Sequence, residues 1–291
     1  MHFAFQISTK DYTMSVMKSL ISKTIVQMLV ASTLLLMPLI TQADDCAPKK
    51  IDVWVKASFA LSGDTVIIQN KQYRLIGVEA PQIEKKQKFY TTGQPLAKES
   101  QANLNTLLAN HDLMVGVEYD QKKSDEFYRT YVHLYVKQGD KIVNLQKLIL
   151  ESGLALAQSE PPNELHQKCY YQAEKTARQN KVALWSLTEK RPDLNYPIAP
   201  SSNITTDDEG YHIFKGKIVK VDKSSNNYIL NMDTTGIRIR EADWDRFNYE
   251  QLEALEGKVI EARGFGFLFQ GAMFVKIHSP YAIDRLNPVN Q

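Results

Sequence analysis

Apolar and polar positions fall into two blocks of short elements, separated by a stretch rich in proline, serine and asparagine. In the first block, residues 54–60 and 65–69 carry strand composition, Asn70-Lys71 marks a tight turn, and residues 72–78 form a third strand. Leu96, Leu104, Leu107 and Leu108 recur at helical spacing and predict a helix over residues 95–110. Residues 113–119 and 131–137 alternate as strands. Residues 144–152 read as a short helix stopped by Gly153. Pro161-Pro162-Asn163 then opens a longer helix, with Asn163 as its N-cap, running to about residue 183. Three strands, a helix, two strands and two helices suit a small five-stranded barrel with helices packed on it.

Residues 191–209 read as a linker. In the second block, strands are expected at 214–222, 228–232 and 236–240, a short helix at 249–255, and closing strands at 258–264 and 272–278. This too suits a small five-stranded barrel, although the blocks share no convincing sequence repeat.

Residues 25–40 form a largely apolar run behind Lys18 and Lys23. Pro38 breaks it, and Thr41-Gln42-Ala43 offers small residues before a cleavage point. The pattern predicts a cleavable signal peptide over residues 1–43, starting at Met1, Met14 or Met17, and a secreted or periplasmic protein. The run is short for a span of ~20 apolar residues and carries Gln27, Ser32 and Thr33, so no stable membrane association is expected after cleavage. Two cysteines exclude a zinc ribbon or a disulfide-dense scaffold. In an oxidising compartment, Cys46 and Cys169 are either a disulfide or two free thiols.

The 291 residues carry 35 Lys+Arg against 33 Asp+Glu, a formal net charge of +2. That balance excludes a broad polybasic footprint, so any phosphate chemistry must rest on a few placed charges. Residues 44–198 hold 21 basic and 19 acidic side chains, and residues 199–291 hold 11 and 13.

Four segments of the first block narrow the function. They are Ser62-Gly63-Asp64-Thr65-Val66; Tyr73-Arg74-Leu75-Ile76-Gly77-Val78-Glu79-Ala80-Pro81-Gln82; Asp125-Glu126-Phe127-Tyr128-Arg129; and Ala173-Glu174-Lys175-Thr176-Ala177-Arg178 through Leu184-Trp185. Their order and spacing resemble the thermonuclease (staphylococcal-nuclease-like) family. The resemblance implies a domain over residues 44–190 with a five-stranded OB-fold barrel and three helices. It also implies hydrolysis of phosphodiester bonds in DNA or RNA with Ca2+. Such chemistry needs carboxylates for a hard cation, guanidinium groups for the phosphate, and a general base for water.

By that resemblance Asp64 and Glu79 stand as metal carboxylates, Glu79 where an aspartate is usual. Arg74 and Arg129 match the family's two phosphate-binding arginines. Gln82 occupies the general-base position, normally a glutamate. An amide orients water but cannot take its proton, and a positioned base is worth typically ~10²–10⁴-fold. Glu84 is the alternative base. Ala80 replaces a threonine, Ser62 an acid, and Tyr128 the glycine before Arg129. Against these roles stand ordinary ones: a turn aspartate at 64 and surface ion pairs for the arginines. His133 reads as a structural strand histidine.

The second block, residues 210–291, resembles the OB-like extension of some bacterial secreted members through Leu255-Glu256-Gly257-Lys258-Val259, Arg263-Gly264 and His278-Ser279-Pro280-Tyr281-Ala282-Ile283-Asp284. Phe265, Phe267 and Phe269 alternate, as either a base-stacking platform or one buried face of a hairpin. Lys85 to Lys88 with Phe89 and Tyr90 mix charge and aromatics near the expected site. Two readings follow: a Ca2+-dependent nuclease weakened at Gln82, or a noncatalytic scaffold of two OB-like barrels that binds nucleic acid or protein. Oligomeric state is left open.

Overall fold

The computed structural model describes residues 46–85 and 93–290. The expected signal peptide and most of the lysine–aromatic loop lie outside the described residues. Among the described residues no helix is long and apolar enough to cross a membrane.

The first block runs β1 (Val53–Ser62), β2 (Thr65–Ile68), β3 (Lys71–Leu75), β4 (Val78–Glu79), α1 (Ala97–Ala109), β5 (Met114–Glu118), β6 (Thr130–Gln138), β7 (Lys141–Asn144), α2 (Leu145–Glu151), β8 (Leu156–Ala157), α3 (Gln167–Gln179) and α4 (Leu184–Lys190). β1 is long enough to serve two partners: its first half pairs with β5 and its second with β2, both antiparallel. Gln69 and Asn70 carry the two positive φ angles, 49° and 62°, that a tight hairpin from β2 to β3 requires. β3 then pairs parallel with β6 and closes a five-stranded barrel. Inward alternation supplies its core: Val66, Ile68, Leu75, Val115, Val117, Val132 and Leu134, with Leu104 and Leu108 of α1 and Leu145 and Ile149 of α2 packed against it.

The second block runs β9 (Ile198–Pro200), β10 (Gly210–Lys217), β11 (Lys220–Lys223), β12 (Asn227–Asn231), β13 (Thr235–Arg240), α5 (Tyr249–Glu253), β14 (Val259–Phe269) and β15 (Ala272–Lys276). The strand expected over 214–222 is bent, and β10 and β11 are its two legs. At the bend, Ile218 N–H donates to Lys258 O (2.9 Å) on one side and Val219 N–H donates to Asn231 O (2.8 Å) on the other. With β10 on β14, β11 on β12, and β13 parallel to β15, this barrel closes as the first does, with a helix again between the third and fourth strands. The same topology thus arises twice without a visible sequence repeat.

Asn163 does not cap α3. Its side chain accepts from Lys122 N (2.7 Å) and donates to Lys122 O (3.0 Å), and the helix begins four residues later, at Gln167. The stretch 191–209 contains three 3₁₀ turns and β9, which adds parallel to β10. The barrels share a third apolar cluster: Leu156, Ala177, Leu184 and Trp185 from the first block meet Tyr196, Tyr211 and Ile213. Arg178 makes a bidentate pair with Glu261 (2.7 and 2.9 Å) at the edge of that contact. Cys46 and Cys169 are disulfide-bonded, with Cα atoms 5.6 Å apart, which ties the start of the described chain to α3.

Candidate functional site

The site forms where β2, β3 and β4 converge. Register places Arg74 opposite Thr65 on β2 and Tyr131 on β6. β4 pairs with β8, Glu79 opposite Leu156, which sets the Glu79 carboxylate beside Arg74. Gly63 permits the close approach of α1 and the 80-loop. A Cβ there would stand 1.8 Å from Ser100 Oγ and 2.7 Å from Ala80 Cβ.

Arg74 bridges two carboxylates. Its Nη1 lies 2.5 Å from Asp64 Oδ2, and its Nη2 donates to Glu79 Oε2. All three residues are buried, at 6%, 6% and 8% exposure for Asp64, Arg74 and Glu79. Asp64 is saturated: Oδ1 accepts from Ser62 Oγ (2.7 Å) and Thr65 Oγ1 (3.0 Å), and Oδ2 also accepts from Ala80 N (2.9 Å). Burial alone would raise its pKa, but Arg74, the Ala80 amide and the two hydroxyls outweigh it and hold the carboxyl below its usual range. One guanidinium cannot neutralise two buried carboxylates. Burial, only partly offset by Arg74 and reinforced by the negative charges of Asp64 and Glu160, pushes Glu79 up to about 7.

Arg129 approaches from the turn before β6. Asp125 aims it: Oδ1 accepts the Arg129 and Phe127 amides (both 2.9 Å), and Oδ2 accepts Arg129 Nε (2.5 Å). Arg129 Nη1 reaches Thr65 Oγ1 at 3.3 Å, and Thr65 in turn contacts Asp64. Tyr128, which precedes it, has φ 62°, a left-handed conformation that suits glycine.

Gln82 is hydrogen-bonded to Gln94 rather than to the ion cluster. Its amide donates to Gln94 Oε1 (2.9 Å), and its carbonyl accepts from Gln94 N (2.8 Å). Its side chain makes no hydrogen bond to Asp64, Arg74 or Glu79 among the described residues. It faces the entry to β10, where a Cβ on Gly210 would stand 3.5 Å from Gln82 Nε2. Glu84 is exposed. His133 is fully buried, with Nδ1 2.7 Å from Tyr170 Oη and Nε2 3.5 Å from Asp120, so it belongs to a core network. Burial lowers its pKa, against the pull of Asp120.

Several participants carried no motif. Gln158 Oε1 lies 3.5 Å from Arg74 Nη2. Tyr196 is buried, and its hydroxyl pKa is raised by burial and then by the charges of Glu79 and Asp64. Tyr211 donates to Ala157 O (3.1 Å) on the strand that pairs with Glu79's. Tyr196 comes from the 191–209 stretch and Tyr211 from β10, so segments beyond the first block lie near the site.

A Ca2+ ion takes about six to eight oxygen ligands. Here both Asp64 oxygens are engaged and Glu79 is held by Arg74. Among the described residues no group of three or more His, Cys, Asp or Glu is arranged to hold a metal ion. The residues in this arrangement do not fit Ca2+; the cation shared by the two carboxylates is the Arg74 guanidinium.

Residues 72–187 match the family described as Staphylococcal nuclease homologue. The chain is 32% identical over 129 residues to the thermonuclease of Staphylococcus intermedius, an alignment covering 43% of this chain and 71% of that protein. It is 33% identical over 130 residues to the thermonuclease of Staphylococcus hyicus, covering 43% and 72%.

Proposed function

The chain belongs to the staphylococcal nuclease homologue family, and from that premise we propose that it is a secreted or periplasmic phosphodiesterase acting on DNA or RNA, weakened at its general-base position. The observation that carries this reading is Arg74, held between Asp64 and Glu79, with Arg129 linked to the same cluster through Thr65. Two guanidinium groups converging on one site suit a phosphodiester, whose charge grows in the transition state. Protonation of Glu79 frees one arm of Arg74 for a phosphate oxygen. Gln82 orients water without taking its proton. Ca2+, which the family resemblance implies, has no step in this reading, because Arg74 holds both carboxylates. The Cys46–Cys169 disulfide suits an oxidising compartment.

A noncatalytic scaffold binding nucleic acid or protein is the second reading. It is favoured by the burial of the ion cluster and by the neutral side chain at position 82. Hydrolysis of single-stranded DNA and of RNA by the purified protein, with and without added Ca2+, tests the choice. Slow cleavage that Arg74→Ala abolishes supports the phosphodiesterase. Cleavage no greater than that of the Arg74→Ala protein assigns the chain to the scaffold reading.

A further inference from the structure

We propose that the outer face of β13, β15 and β14 is a second binding site, for unpaired bases of a single-stranded nucleic acid. The proposal rests on the nucleic-acid reading above but not on the phosphodiester site.

Phe265, Phe267 and Phe269 lie on one side of β14, because alternate strand residues share a face. The barrel interior is filled instead by Ile260, Ala262, Met273 and Val275. The phenylalanines therefore lie outside the barrel; Phe269 is 56% exposed, and Phe265, 43% exposed, also sets its ring edge-on to Tyr211 at 5.3 Å. Cross-strand register sets Phe267 opposite Phe274 and Phe265 opposite Lys276, and the next strand brings Arg238 opposite Lys276. The rings of Phe267 and Phe274 are 6.0 Å apart, and those of Phe269 and Phe274 are 6.3 Å apart.

Two cations border these rings. The Arg238 guanidinium lies 4.3 Å from the Phe274 centroid and the Lys276 ammonium 4.5 Å from that of Phe267. Neither makes an ion pair among the described residues; Arg238 Nη1 donates to Asn231 Oδ1 (3.3 Å) and Ile237 O (2.9 Å). The second block is acidic overall, yet Asp243 pairs with His278 and Asp222 with Lys220, and Glu261, which shares the phenylalanine side of β14, is engaged at the far end of the strand by Arg178 and Lys215. Glu209 is the carboxylate at the margin, accepting from Leu268 N at 3.4 Å.

A row of rings bordered by unpaired cations matches one chemistry. Bases stack on aromatic faces and phosphates take the cations, whereas a duplex hides its base faces. An apolar protein partner would leave Arg238 and Lys276 without counter-charges.

The test is equilibrium binding of a fluorescent oligothymidylate to the full-length protein across a salt series. Phe267→Ala/Phe269→Ala is expected to weaken binding tenfold or more, given that each stacked base is worth about 1–3 kcal/mol. Lys276→Gln should weaken binding and flatten the salt dependence. A duplex of the same length should compete poorly. Undiminished binding by the double phenylalanine variant, with unchanged thermal melting, overturns the proposal, as does equal competition by duplex. Arg74→Ala separates the two sites. Loss of binding in Arg74→Ala alone leaves the phosphodiester reading and removes this one, while loss in the phenylalanine variant alone supports this site and leaves the phosphodiester reading to the cleavage assay. No oligonucleotide binding by the wild type removes both.

Discussion

Arg263 Nη1, on the second barrel, lies 2.7 Å from Glu174 Oε2, on helix α3 of the first. Both side chains are nearly buried, at 11% and 4% exposure. Arg263 also donates to Ala157 O (3.0 Å), and Glu174 accepts the Ala157 amide, so the pair clamps β8, the partner of the strand carrying Glu79. Removing one member of such a pair strands the other charge away from water. Arg263→Ala should therefore cost about 3–5 kcal/mol in urea unfolding. Arg263→Met combined with Glu174→Gln should recover part of that loss. A single-variant cost below about 1 kcal/mol would mean that water reaches Glu174 and that the barrels are not locked here.

Glu79 makes the site's stability depend on pH in a defined direction. Its folded pKa, about 7, exceeds the ordinary 4.5, so between these values the folded protein holds a proton that the unfolded chain releases. Its contribution is fully present below about pH 4.5 and is lost as pH rises through 7. Glu79→Gln cannot lose that proton. The difference in unfolding free energy between wild type and variant should change by at most about 1.4 kcal/mol per pH unit, with the variant gaining as pH rises from 5 to 8. Parallel pH profiles would show that Glu79 stays ionised against Arg74.

Much of this arrangement can be read along the chain because it is local. Asp64 and Thr65 are adjacent, and Arg74 faces Thr65 across one hairpin, so a short motif carries most of the ion cluster. The strands of both barrels are visible as alternation and β-branched runs. What is hidden depends on distant partners. Asn163 has the composition of a helix cap, but the backbone of Lys122, 41 residues away, takes its side chain. The kink at Ile218 and Val219 follows from barrel closure, which calls for one strand to serve two neighbours and leaves no local signature. Tyr196 and Gln94 acquire meaning only when the second barrel docks. The outward aim of the β14 phenylalanines was undecidable from alternation alone, because a hairpin face of that composition is as readily buried.

Tyr128 offers a test of backbone strain beside Arg129. Its φ of 62° is unfavourable for a residue with a Cβ, and its side chain is 92% exposed, so little burial offsets that cost. Tyr128→Gly relieves the strain but loosens the unfolded chain, an opposing effect of about 0.4–1 kcal/mol. The balance should favour the variant by up to about 1 kcal/mol, seen as a higher urea midpoint at unchanged slope. A lower midpoint would mean that the exposed ring contributes through the unfolded state or through contacts formed in solution.

Gln82 lies on a loop held to Gln94 by two hydrogen bonds, so Gln82→Glu changes the charge of the side chain with little change of shape. A carboxylate there can accept a proton from water, which the amide cannot. If the missing base limits catalysis, the variant should cleave single-stranded DNA at least about tenfold faster than the wild type, the low end of what a positioned base supplies. The comparison requires equal binding of a noncleavable oligonucleotide by both proteins, so that the gain is assigned to kcat. An unchanged rate in a variant that melts like the wild type would move the limit elsewhere, to the burial of the Asp64–Arg74–Glu79 cluster.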